Sequence, residues 1–265
     1  GDAKAAAAAL LERLAGRDLA CSANKVERSQ RITAEKSAWE QELGAWTHER
    51  DPFSLEIAKD SKFMHPRQML RELELAMPRD AMVATDIGNV CSVANSFLRF
   101  EQPRSLFAAM SFGNCGYAVP VACGAKIASP ERPAIAYVGD GAWGISLNEL
   151  LTCAREKIGV TVIVFNNGQW GAEKKNHVDF YSRRFNAVNL DSPSWAAVAK
   201  AFGCEGITVD RLADVGPALV AAVNAQSAGK CTVIEMMLTQ ELGDPFRRDA
   251  LSKPVRHLEK YQAYT

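Results

Sequence analysis

With 265 residues, 48% of them hydrophobic and 23% charged, the chain is long enough to bury a sizeable core and has the composition of a soluble globular protein. Its 31 basic residues balance 31 acidic ones, which gives no general attraction to nucleic acid or to an anionic membrane surface, although a local basic patch stays compatible with that total. The sequence shows no signal peptide and no apolar run of about eighteen residues that would span a membrane. Its seven cysteines (Cys21, Cys91, Cys115, Cys123, Cys153, Cys204, Cys231) include no C-x-x-C pair that would start a zinc site, so they read as buried free thiols of a cytoplasmic protein.

The chain begins at Gly1 rather than Met, which points to a processed, cleaved or truncated product. An alanine-rich helix is predicted over 4–14, stopped by Gly16, and a long charged stretch with helical spacing follows over 24–46. These polar helices carry too few apolar residues for a core of their own. Residues 1–60 therefore read as the helical tail of a preceding domain with its linker, 61–240 as the main domain, and 241–265 as a C-terminal tail.

From residue 63 onward short β-branched runs alternate with helical segments. Strands are predicted over 81–85, 106–109, 134–138, 161–165, 206–209 and 232–237, and helices over 68–76, 146–157, 194–202 and 213–228. Such alternation marks an α/β fold, a parallel sheet with helices on both faces. Ser146 and Glu149 have capping-box spacing at the start of one helix, and Pro193 suits the first turn of another. No internal repeat is evident.

In open parallel sheets ligands bind beyond the carboxyl ends of the strands, so the turns there carry most information. After 134–138 comes Gly139-Asp140-Gly141, and after 161–165 comes Asn166-Asn167-Gly168-Gln169. The 24 residues between these elements hold one helix and one strand, which sets the two turns side by side at one sheet edge. Mg²⁺ prefers oxygen ligands and commonly bridges to phosphates. Asp140 offers an anionic oxygen, the Asn167 amide a neutral one, and a main-chain carbonyl near Gln169 a third. Gly141 and Ala142 leave backbone N–H groups open to phosphate oxygens. Each turn taken alone is equally readable as a plain loop.

Joined at this spacing, the two turns resemble the Gly-Asp-Gly to Asn-Asn signature of thiamine-diphosphate enzymes, and the resemblance extends over roughly 63–238. It implies that Asp140, the Asn167 side chain and the Gln169 carbonyl hold Mg²⁺, with Gly139, Gly141, Ala142 and Gly171 against the cofactor. The segment from Gly113 to Pro120 resembles the part of the acetolactate-synthase-like branch that receives the cofactor's aminopyrimidine. By that resemblance the Gly113 carbonyl accepts a hydrogen bond from the cofactor, and Cys115 replaces the bulky apolar prop common there. Thr85 to Asn89 similarly falls where the family places a loop over the diphosphate, with Gly88 and Asn89 the contacts.

In this family the glutamate that activates the pyrimidine belongs to a separate pyrimidine-binding domain or subunit. No such domain precedes residue 63, so the chain is expected to be half of a composite site, inert alone and part of a homo-oligomer, a dimer or tetramer. Glu173, six residues past Asn167, stands where pyruvate decarboxylases also carry a glutamate and acetolactate synthases an apolar residue, and an acid or base role follows. The run from Asn166 to Asn176 and the tail from Glu241 to Leu251 resemble the sulfoacetaldehyde acetyltransferase branch. That likeness implies conversion of sulfoacetaldehyde and phosphate to acetyl phosphate and sulfite. Both substrates are small anions, for which Lys174, Lys175, Arg183, Arg184, Arg247 and Arg248 are the cationic candidates. The alternatives are an acetolactate synthase or related carboligase or decarboxylase, or a non-catalytic cofactor-binding subunit.

Overall fold

Each of the six runs expected to form a strand does so in the computed structural model, which describes residues 2–17, 23–59 and 61–243. The chain separates into two units, 1–45 and 46–265. The first holds α1 (Ala3–Leu14) and α2 (Ala23–Ala45). Asp2 caps α1 by accepting from the N–H groups of Lys4 and Ala5 at 2.8 and 3.2 Å. Helix α2 is polar along its length, with Arg31 and Glu35 paired one turn apart at 3.4 Å.

The second unit opens with α3 (Pro52–Ala58), α4 (Pro66–Ala76), β1 (Met82–Thr85), α5 (Asn89–Ala94) and β2 (Leu106–Ala108). Then come α6 (Ala118–Ala128), β3 (Ala134–Gly139), α7 (Asp140–Ser146), α8 (Glu149–Glu156) and β4 (Thr161–Asn166). Helices α9 (Gly171–Phe180) and α10 (Trp195–Ala201), β5 (Glu205–Val209), α11 (Leu212–Ala225) and β6 (Thr232–Met237) complete it. Among the described residues no helix is long and apolar enough to cross a membrane. The six described cysteines are free thiols, and Cys21 lies outside the described residues.

The strands form one parallel sheet in the order β2-β1-β3-β4-β6-β5. Side chains alternate across it, and both faces are covered. Ala84, Ala136, Val138, Val162, Val164 and Val233 point to one side, where they meet α6, α8 and α10. The alanines of β1 and β3 let α6 approach closely through its own Ala118, Ala122 and Ala125. Val83, Ile135, Tyr137, Ile163, Phe165 and Ile234 point to the other side, which α5 and α11 cover with α4 packed on both helices. The chain leaves β1 in one direction to reach β2 and then returns past it to β3. The order thus reverses at the β1/β3 boundary, where a crevice opens beyond the strand ends.

Two local expectations give way. Ser146 does not cap a helix over 146–157, because residues 140–146 form their own helix and leave Ser146 as its last residue. Its hydroxyl is buried without a partner, and α8 starts after Asn148 with no side-chain cap. Pro193 likewise precedes the first turn of α10 rather than joining it, since Ser194 is the cap and accepts from the Ala197 N–H at 3.2 Å.

One buried carboxylate fixes the right-hand half of the sheet. Glu235 on β6 is 2% exposed and takes five donors. Asn166 Nδ2 (2.8 Å) and the Trp195 N–H (3.0 Å) reach Oε1, while Ser194 Oγ (3.2 Å), the Ala196 N–H (3.2 Å) and Thr208 Oγ1 (3.1 Å) reach Oε2. It therefore ties β4, β5 and the N-terminus of α10 to one point, where the helix dipole also favours negative charge. Glu235→Gln turns an NH₂ group toward at least two of these donors and is expected to cost about 2–4 kcal/mol of stability. Urea unfolding checks this, and an unchanged midpoint would contradict the anchoring role.

Candidate functional site

Three turns meet at the crevice, each directly after a strand: residues 86–89 after β1, 139–142 from the end of β3, and 166–171 from the end of β4. The register brings them level, with Thr85 opposite Tyr137 and Gly139 opposite Phe165. The cleft between them is lined by Gly88, Asn89, Cys115, Gly139, Asp140, Gly141, Ala142, Asn167, Gln169, Gly171 and Glu173, together with Ile87, Cys91, Phe165 and Trp170. Every sequence-predicted cofactor, metal or catalytic residue except Gly113 thus borders one space. Gly113 stands outside the lining, exposed in a left-handed conformation, with its N–H donated to the Ala109 carbonyl at 2.8 Å.

Asp140 is the centre of this edge. Its carboxylate is 2% exposed, accepting from the Gly141 N–H on Oδ1 at 2.9 Å and from the Gly168 N–H on Oδ2 at 2.7 Å. Burial pushes its pKa up from the ordinary 3.8 to about 6, against the opposing pull of backbone N–H groups from Gly168, Gly141, Gln169 and Asn167. A buried carboxylate with peptide donors and no cation nearby is incompletely compensated.

The turn after β4 is held from its far side by a short antiparallel ladder. The Trp170 N–H donates to the Val188 carbonyl and the Leu190 N–H to the Gly168 carbonyl, both at 2.8 Å, with Gln169 opposite Asn189 between them. An extended residue presents its N–H and C=O on the same side. The Gln169 N–H faces Asp140, so the Gln169 carbonyl is turned that way too. The Gln169 side chain is buried, with Nε2 on the Gln240 carbonyl at 3.0 Å and Oε1 without a partner. Asn167 is buried at 7% exposure. Gly141 is needed beneath the ring of Trp170, where a Cβ would come within 2.9 Å of three ring carbons.

The donors available at this point are one carboxylate, one amide and one carbonyl. Among the described residues no group of three or more His, Cys, Asp or Glu side chains could enclose an ion. A donor set this mixed and this open fits a hard divalent cation completed by phosphate oxygens and water. The glycines beside it leave the backbone N–H groups approachable by those phosphates.

Asp86, which sequence reasoning passed over in favour of Gly88 and Asn89, secures the first turn. Its carboxylate accepts from the N–H groups of Ile87 (3.0 Å) and Gly116 (3.1 Å) on Oδ1 and of Ala118 (3.1 Å) on Oδ2. It thereby clips the 113–118 segment to the end of β1, and burial raises its pKa. Gly116 is left-handed at φ 84°, and a Cβ there would lie 2.9 Å from Ile145 Cγ2. The signal was present in the sequence: Asp86 follows its strand as Asp140 follows β3. Cys115 lies half-buried in the cleft, its thiol pushed up by burial and by the negative charges of Asp86 and Glu173. The fully buried Cys91 thiol rises to about 12 through burial and the Asp86 charge.

Asn89 lines the cleft, but its side chain is engaged elsewhere. Its Nδ2 donates to the Gly243 carbonyl and its Oδ1 accepts from the Gly243 N–H, both at 2.8 Å. The cationic candidates fare similarly. Lys174 is 5% exposed and donates to Gln240 Oε1 (2.9 Å) and Asn189 Oδ1 (3.3 Å), with burial lowering its pKa. Lys175 pairs with Asp179 at 2.7 Å, Arg183 with Glu56 at 3.7 Å, and Arg184 donates to the Tyr181 carbonyl at 3.2 Å. None of the four borders the cleft. Arg247, Arg248 and most of the tail motif lie outside the described residues. Glu173, in the first turn of α9, is exposed at the cleft.

Comparison with known proteins adds a second line of observation. The family described as "Thiamine pyrophosphate enzyme, C-terminal TPP binding domain" matches residues 86–236. The sulfoacetaldehyde acetyltransferase of Castellaniella defragrans is 64% identical over 271 residues, and that of Alcaligenes xylosoxydans xylosoxydans 61% identical over 274. Both comparisons take in 100% of this chain and 45% of the relative, so the chain spans under half the length of the curated relatives it matches. Among solved structures, the thiamine diphosphate-dependent 4-hydroxybenzoylformate decarboxylase of Rhodococcus jostii RHA1 superposes with a TM-score of 0.63 at 24% identity. That superposition covers 70% of this chain and 34% of the other, and shows a shared fold.

The electrostatics of Asp140 carry a consequence for stability. A carboxyl whose pKa is raised on folding favours the folded state while protonated and opposes it once charged. Its contribution is therefore best below pH 3.8, declines as pH rises toward 6 and is constant above, a loss of about 3 kcal/mol across that window. The stability difference between wild type and Asp140→Ala in metal-free buffer should fall by roughly that amount from pH 4 to pH 7. A pH-independent difference would contradict the burial of an uncompensated charge.

Proposed function

This chain belongs to the thiamine pyrophosphate enzymes, as their C-terminal TPP-binding domain, and on that premise we propose that it is the diphosphate- and Mg²⁺-holding part of a sulfoacetaldehyde acetyltransferase. The reaction joins sulfoacetaldehyde and inorganic phosphate and releases acetyl phosphate and sulfite. The observation that carries this reading is identity of 64% and 61% to two sulfoacetaldehyde acetyltransferases along the whole chain, combined with a carboxylate, Glu173, at the cleft. When bound, thiamine diphosphate supplies a nucleophilic thiazolium carbon that adds to the aldehyde and stores the electrons released there.

The chain's own residues have three tasks. Asp140, the Asn167 amide and the Gln169 carbonyl hold Mg²⁺, and the cation meets the charge that burial alone leaves uncompensated. The glycine-rich turns at Gly139, Gly141 and Gly171, with Ala142, let the cofactor's phosphates come close to backbone N–H groups. Glu173 would take the proton from the former aldehyde carbon, which opens the carbon–sulfur cleavage, and return one to the neighbouring carbon that sulfite has left. The pyrimidine-binding part, with the glutamate that activates the cofactor, belongs to the remaining length of the polypeptide or to a partner subunit. The assembled enzyme is a homo-oligomer, and the isolated chain is inert.

The deciding experiment assays sulfite and acetyl phosphate together on the full-length protein supplied with cofactor, Mg²⁺, sulfoacetaldehyde and phosphate. Equal amounts of both products are expected, with turnover dependent on phosphate. Formation of acetolactate from pyruvate with neither product would overturn the substrate and leave the family untouched. Glu173→Gln keeps the size of the side chain but loses the titratable group, and is expected to lower kcat about 10²-fold with little change in cofactor affinity. A kcat within about twofold of wild type would remove Glu173 from proton transfer.

A further inference from the structure

Behind the cofactor edge, on the α6/α8/α10 face of the sheet, four cysteines from four separate elements come together. Cys123 lies on α6, Cys153 on α8, Cys204 just before β5 and Cys231 just before β6. The Cys123 and Cys153 sulfurs are 3.2 Å apart. Cys204 and Cys231 belong to the same buried cluster, where the Cys204 thiol donates to the Leu150 carbonyl at 3.6 Å. All are buried, Cys153 fully, while Cys123 at 8% and Cys204 at 9% exposure lie nearest to solvent. The lining is otherwise apolar, with Leu150 and Ala199 among the neighbours.

Scattered cysteines serving only as small hydrophobes have no reason to meet sulfur to sulfur. The geometry points to Cys123 and Cys153 as a redox-convertible dithiol, which a small neutral oxidant such as hydrogen peroxide closes to a disulfide joining α6 to α8. The two sulfurs need to approach by only about 1.2 Å to reach bonding distance. The hydrogen bond shared with Cys123 holds the Cys153 pKa down, which makes Cys153 the nucleophile of the pair. Its thiolate attacks one peroxide oxygen, forming a sulfenic acid and releasing hydroxide, which a proton converts to water. The Cys123 sulfur then attacks the sulfenic sulfur, the S–S bond forms, and the sulfenic oxygen leaves as a second water. Overall two thiols give up two electrons and two protons to one peroxide.

The position gives the bond a mechanical meaning. Helix α6 begins at Ala118, which Asp86 clips to β1 beside the Cys115 segment, and α8 follows directly on α7, which begins at Asp140. A disulfide would lock together the helix that follows the Cys115 segment and the helix that follows α7, two elements whose neighbours line the cleft.

The test uses the full-length protein containing this chain, treated with a small excess of hydrogen peroxide, then unfolded and alkylated before non-reducing peptide mapping. A Cys123–Cys153 cross-linked peptide, lighter by two hydrogens and cleaved by dithiothreitol, is expected in wild type. It should be absent from Cys123→Ser and Cys153→Ser. Full alkylation of both cysteines after treatment, sulfinic acids in place of the cross-link, or a disulfide between other cysteines would overturn the proposal. The wild-type map decides the matter even where a serine variant fails to fold.

Discussion

A carboxylate buried at the end of a strand with only peptide N–H groups around it is the constraint on which the rest of this edge depends. Asp140 leaves β3 as the first residue of α7, and two glycine N–H groups from different turns, Gly141 and Gly168, reach it at 2.9 and 2.7 Å. Those donors bring the β3 and β4 turns together but do not replace the water lost on burial, and its pKa rises to about 6. The arrangement costs stability as it stands, and under the proposed function a bound cation would offset that cost. A site that is electrostatically unfinished in the protein alone is preorganised for its ligand.

The same device is used at the neighbouring strand. Asp86 follows β1 and accepts three N–H groups, and two of them, from Gly116 and Ala118, belong to the entry of α6. The two aspartates flank the point where the strand order reverses and fix the turns on either side of the crevice. Support continues outward. Glu235 fixes Asn166, the residue before Asn167, at 2.8 Å, and the Gly168–Trp170 stretch is laddered against 188–190. Loops this short and this thoroughly bonded position their side chains with little freedom, which is what a metal site requires.

Much of this was legible in the sequence because the chemistry sits immediately after strands whose β-branched runs are unmistakable. Gly139 to Gly141 and Asn166 to Gln169 could be placed by that rule alone, and the fold class followed from alternation. What failed depends on partners distant in the chain. The Asn89 amide pairs with Gly243, 154 residues later, and nothing near Asn89 announces it. Lys174 looks like a surface charge in a run of polar residues, yet it is buried, with the rings of Phe185 and Phe53 5.5 and 6.0 Å from its ammonium. Ser146 and Glu149 have the spacing of a cap, but a helix starting at Asp140 takes up Ser146 first. The cysteine cluster is invisible in sequence because its members come from four separate stretches of the chain.

The charge around the cleft sets a further limit on how the site can work. Its described lining carries Asp140 and Glu173 as carboxylates, with no lysine or arginine. A diphosphate entering such a space would be repelled unless a divalent cation lay between it and Asp140, so under the proposed function cation and phosphate would bind as one neutralising pair. The two anionic substrates of the proposed reaction would need further positive charge, and Lys174, Lys175, Arg183 and Arg184 are each engaged elsewhere. Under the proposed reaction, that charge comes from the residues beyond 243 or from the rest of the enzyme, since this chain corresponds to 45% of its acetyltransferase relatives. The division of labour is then electrostatic as well as structural: this half places the cation and the cofactor's phosphates, and the other supplies the groups that recognise sulfonate and phosphate.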